Sequence, residues 1–87
     1  MNCYSTNIKL LNFFIDFLSS KKRFSNHTIR AYRIDIEQLI DYLGEDIMIK
    51  DLNKYDLHEY ISTISKSITS KSLSRKIATI KSLFKFM

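Results

Sequence analysis

Proline is missing from this sequence altogether, and glycine occurs once, at Gly44. Tight hairpins and sandwich turns draw on those two residues, so their scarcity points away from β architecture and toward helices joined by short polar loops. Cysteine also occurs once. Cys3 therefore has no internal partner, which excludes a disulfide framework and reads as an incidental thiol in a reducing, cytoplasmic setting. Apolar runs fall far short of a membrane span, and the first residues lack the basic-then-apolar order of a secretory signal. Acidic residues are absent from positions 60–87 and nearly absent from 1–34, where Asp16 stands alone.

What is present suits one small domain. The 87 residues are 45% hydrophobic and include six Phe and five Tyr, enough for a single modest core and no second one, so one unit over residues 1–87 is expected. The formal net charge is +5, which alone says only that an acidic partner is possible. Its distribution says more. Residues 1–34 and 60–87 carry six Lys/Arg each, while 35–59 carry eight acids against Lys50 and Lys54. A fold that joins the two basic segments would have one positive and one negative face.

The expected class is all-α, with four helices over about 7–20, 26–43, 54–66 and 70–87. Three starts share a local pattern in which a capping residue follows an apolar one, with an apolar partner five positions on: Phe24-Ser25 with Ile29, Leu52-Asn53 with Leu57, and Ile68-Thr69 with Leu73. At Asn53, Asp56 is placed to complete a capping box. Gly44 fits the left-handed stop of the second helix. Ile29, Tyr32, Ile36, Leu39, Ile40 and Leu43 form that helix's core stripe, and Leu57, Tyr60, Ile61 and Ile64 that of the third. Leu73, Ile77, Ile80, Phe84 and Met87 give the fourth a stripe still in register at the last residue, as if the sequence stopped at or before a linker. The first helix is apolar nearly all round; it is either a central buried helix or one that also meets another protomer or domain.

Two faces carry candidate chemistry. Opposite the apolar stripe, the fourth helix presents Lys71, Ser72, Arg75, Ala78, Thr79, Ser82 and Lys85, with Lys76 and Lys81 on the flanks. Small side chains between long cations would let a helix approach base edges in a groove about 12 Å wide. A solvated lysine face is the plainer alternative. Such faces usually mix signs to form i,i+4 pairs, however, and this one has no acid. In the second helix, Arg30 and Arg33 sit near the dipole's positive end and Asp35, Glu37 and Asp41 lie further on, an order costing about 0.3–1 kcal/mol per residue in an isolated helix. A phosphate held by the helix-start amides, by Ser25, Asn26 and Thr28, and by the two guanidinium groups would offset that cost. Lys21, Lys22 and Arg23 follow the first helix, where cations are favoured anyway. His27 and His58 have no partners at metal-ligand spacing, so no metal or cofactor is expected.

Three blocks in order resemble one family. Phe17-Leu18, then Phe24-Ser25-Asn26-His27-Thr28-Ile29-Arg30-Ala31-Tyr32-Arg33-Ile34-Asp35-Ile36, is similar to the tyrosine-recombinase pattern F-L, basic loop, L-S-x-x-T-x-x-x-Y-x-x-D-L. Asp51-Leu52-Asn53-Lys54-Tyr55-Asp56-Leu57 resembles D-L-T-x-x-D-L. Residues 72–87 resemble T-I-x-R-x-L-S-A-L-R-x-F-F-x-F-L, departing from it with Ser72 for Thr, Lys81 for Arg and Leu83 for Phe. The resemblance implies the N-terminal, SAM-like core-binding domain of a tyrosine recombinase, integrase or related transposase: a four-helix bundle that forms half of a clamp on recombination-site duplex DNA. It also implies DNA contacts from Thr28, Arg30, Arg33, Ser72, Arg75, Lys76 and Lys81, to which the residue reading adds Asn26, His27, Lys71 and Thr79. Protomers are implied to meet on DNA through the first helix, with the domain monomeric alone. No catalytic residue is expected: His27-Thr28-Ile29-Arg30 matches the family's catalytic H-x-x-R by chance, since the second arginine, lysine and tyrosine nucleophile belong to a larger, separate catalytic domain. The rival readings are a helical protein-interaction module and a stand-alone integrase-derived regulator.

Overall fold

Four capped helices make up the computed structural model, which describes residues 2–87; Met1, the first residue of the expected unit, lies outside them. α1 (Cys3–Ser20) begins one turn earlier than the apolar pattern suggests. Asn2 caps it by accepting the Tyr4 N–H at 2.9 Å, and the Cys3 N–H donates to the Glu45 carbonyl at 3.0 Å. These polar contacts extend the helix where no apolar residue marks it. After α1 the chain reverses through Arg23, whose φ of 53° is left-handed, and the Phe24 N–H reaches the Leu18 carbonyl at 3.2 Å.

α2 (Asn26–Leu43) is capped by Ser25 and ends at Gly44. Gly44 has φ 69° and ψ −148°, outside the left-handed helical well and in a region that only glycine occupies readily. A single 3₁₀ turn, Ile49–Asp51, interrupts the connection to α3 (Lys54–Ile64) and buries Ile49 completely. The capping box at Asn53 and Asp56 is formed in both directions, at 2.9 and 3.2 Å. α3 stops two residues short of expectation: Ser65 and Ser67 hydroxyls turn back onto the Ser62 and Ile64 carbonyls, offering the backbone an alternative to helix. α4 (Ser70–Phe86) starts from Thr69, whose hydroxyl accepts the Ser72 N–H. The all-α expectation holds: among the described residues there is no strand.

The core joins Leu11, Phe14, Ile15 and Leu18 of α1 to Ile36, Leu39, Ile40 and Leu43 of α2, with Ile49, Tyr60, Ile80 and Leu83 completing it. α1 is the central buried helix; of its surplus apolar residues only Phe13 stays well exposed, at 67%. A buried Asn7 fastens the long connection onto α1, donating to the Ile47 carbonyl and accepting the Ile49 N–H, each at 3.0 Å. Phe86 closes the far end against the rings of Phe14 and Phe17, at 5.4 and 5.0 Å between centroids.

α4 is rotated relative to its apolar stripe. Lys76, Thr79, Ile80 and Leu83 are the residues it buries, whereas Leu73, Ile77 and Phe84 are half-buried and Met87 is exposed. A buried polar residue on α2, Asp35, draws Lys76 and Thr79 inward.

Candidate nucleic-acid interface

Asp35 lies in the second half of α2 on the same side as Tyr32 and Leu39, because offsets of three and four return a helical residue to one face. Its side chain is fully buried. A lone carboxylate there would be very costly, so the fold supplies partners. Arg75 binds it side-on, Nε to Oδ2 at 3.1 Å and Nη2 to Oδ1 at 3.0 Å. Lys76 Nζ donates to Oδ1 at 2.9 Å and also to Gln38 Oε1. The Thr79 hydroxyl lies 3.0 Å from Oδ2 and 2.9 Å from the Arg75 carbonyl, so its one proton is shared between them. Burial pushes the Asp35 carboxyl up, but the hydrogen bonds from Arg75, Lys76 and Thr79 and the charge of Lys76 outweigh it and hold the group below the ordinary value. In return, hydrogen bonding to Asp35 and then its charge raise the Arg75 guanidinium still higher. Burial, followed by the charge of Asp35 and by Tyr42, pushes Tyr60 up to about 12 and keeps it neutral.

These bonds show that α2 and α4 run antiparallel. Asp35 meets Arg75 and Thr79, Gln38 one turn later meets Lys76, and Phe24 ahead of α2 shares a surface depression with Ser82, Lys85 and Phe86. Asn26, His27, Thr28, Arg30 and Arg33 thus accompany the C-terminal half of α4, while Lys71 and Ser72 stand beside the C-terminal half of α2. The expected contacts form a strip along the helix pair and not one cluster.

Their exposures divide them. Asn26, His27, Arg30, Lys71, Arg75 and Lys81 are exposed; Thr28, Arg33 and Ser72 are half-buried. Arg33 Nη1 reaches 3.5 Å from Asn12 Oδ1 on α1. Thr28 is engaged in the cap, its N–H on Ser25 Oγ at 3.3 Å and its hydroxyl 3.0 Å from the same oxygen. Two residues depart from the expected outward face: Thr79 is completely buried and Lys76 is only 6% exposed. Both turn inward because Asp35 needs them. The charge order of α2 counts Asp35 only among the acids that oppose the helix dipole, and nothing in the sequence pattern singles out Gln38. The signal was there in the spacing, since Asp35 falls between Tyr32 and Leu39 on a stripe counted by apolar residues alone. Among the described residues no three His, Cys, Asp or Glu side chains come together as a metal set.

Residues 11–87 match the sequence profile described as the phage integrase N-terminal SAM-like domain. The chain belongs to this family. Similar proteins include a tyrosine recombinase of Pseudothermotoga lettingae, 39% identical over 91% of this chain and 29% of that protein. Tyrosine recombinase XerC of Staphylococcus saprophyticus is 33% identical over 90% of the chain and 27% of its own length. A tyrosine recombinase of Agathobacter rectalis is 35% identical over 85% and 24%. The chain thus spans 24–29% of the length of these curated relatives. No solved structure gives a significant match. No helix of the described residues is long and apolar enough to cross a membrane.

Proposed function

We propose that this SAM-like domain binds duplex DNA as one unit of a site-specific tyrosine recombinase in the cytoplasm, gripping the recombination site along α2 and α4. Strand cutting and rejoining would belong to a catalytic domain of the recombinase and to none of these residues. The observation that carries the reading is the electrostatics of α4: it has no acid, its exposed residues include Lys71, Arg75, Lys81 and Lys85, and the acid packed against it, Asp35, is withdrawn into the interior. Asn26, His27, Thr28, Arg30, Arg33, Lys71, Ser72, Arg75 and Lys81 are the proposed contacts, most of them to phosphate. Lys76 and Thr79 serve from within by holding Asp35. Phe13, beside a groove lined by Leu10, Met48, Phe86 and Met87, supports a contact between protomers assembled on DNA, with the domain monomeric alone.

The deciding experiment reverses two exposed charges, Arg30→Glu with Lys81→Glu. Arg75 is left in place here because its guanidinium is also hydrogen-bonded to Asp35, so its loss would change more than surface charge. Affinity for a short mixed-sequence duplex at low salt is expected to fall at least about tenfold, with helicity and melting temperature unchanged. Unchanged affinity would remove the DNA-binding reading and favour a protein-interaction module acting through α1.

A further inference from the structure

We infer that Asp35 is a positioning residue for DNA binding: from inside the domain it holds the Arg75 guanidinium in one orientation at the surface, ready for a phosphate. This rests on the DNA-binding reading above and names how one of its contacts is prepared.

The charge balance is the first support. One buried carboxylate has two cations on it, and Lys76, itself buried, already neutralises it. Arg75 is therefore surplus to neutralisation, and its side chain remains 45% exposed. The cluster projects one net positive charge outward through that residue alone. Geometry is the second support. Guanidinium has five N–H donors in a rigid plane. Two of them, on Nε and Nη2, are fixed on Asp35, which sets the plane and leaves both Nη1 hydrogens and one on Nη2 uncommitted by the carboxylate. That remaining edge is a fork that can donate to two phosphate oxygens side by side. An arginine ordered beforehand loses little rotamer freedom on binding, a difference of about two- to tenfold in affinity for one side chain.

Net charge and arginine positioning act with opposite signs in Asp35→Asn. Removing an acid raises the formal net charge above +5, which by field alone tightens binding to DNA. Positioning predicts binding about two- to tenfold weaker, with the loss absent in an Arg75→Gln background. Affinities for the same duplex would be measured for the full chain, both single variants and the double variant. Binding by Asp35→Asn equal to or tighter than the parent, or an equal loss in the Arg75→Gln background, would overturn the proposal. Because Asp35→Asn leaves Lys76 buried without its anion and could fail to fold, Arg75→Lys provides a second test. It keeps the charge but cannot bind side-on; weaker DNA binding with an unchanged salt dependence is expected, and unaltered affinity overturns positioning. If the parent chain itself shows no salt-dependent duplex binding, the DNA-binding reading has failed. If Arg30→Glu with Lys81→Glu weakens binding while the Asp35 and Arg75 variants do not, only positioning has.

Discussion

Asp35 places one acid-sensitive carboxylate inside the domain. Its folded pKa lies below the ordinary value of 3.8, so its ionised form adds stability above that pH, and the contribution is lost as pH falls through the folded value. Thermal melts of the parent chain should lose stability below about pH 4. Asp35→Asn should be less stable near neutrality but have a shallower acid limb; an equally steep limb would shift the sensitivity to other carboxylates. Single residues were also where sequence reading was least reliable. Asn7, Asp35, Lys76 and Thr79 are polar yet belong to the interior. A count of apolar side chains treats polar residues as outward, and partners about 40 positions away in sequence make their burial tolerable.

Helices were far more legible because their signals are local. Ser25, Asn53 and Thr69 each cap the helix whose start they mark, and α2 begins and ends at the expected residues. The errors have local causes too: Asn2 lengthened α1, and Ser65 and Ser67 shortened α3. The turn burying Ile49 was missed because three residues are too few to show a period. Rotation of α4 needed tertiary knowledge of Asp35. At the end of α2, Gly44→Ala tests how much its unusual backbone matters. A Cβ there would touch nothing within 4 Å, so any penalty is conformational. A loss of about 1–3 kcal/mol is expected, seen as a melting-point drop of roughly 4–8 °C per kcal/mol. An unchanged melt would mean that the turn relaxes freely.

For the molecule as a whole, the DNA-binding reading implies a counterion effect. Arg30, Arg33, Lys71, Arg75 and Lys81 are the cations proposed for phosphates. With about five neutralised, duplex affinity should fall roughly 10²–10³-fold between 50 and 200 mM salt. Fluorescence anisotropy across that range checks it, and a flat response would exclude a phosphate-dominated interface. The domain is a slab with overall extents of 35, 31 and 18 Å. How α4 settles on α2 is governed by the buried carboxylate. Sliding α4 by one turn, about 5.4 Å, would carry Arg75, Lys76 and Thr79 away from Asp35 and strand an unpaired charge in the interior. Apolar side chains tolerate such slippage far better than a charge does, so Asp35 makes the register of the two helices single-valued.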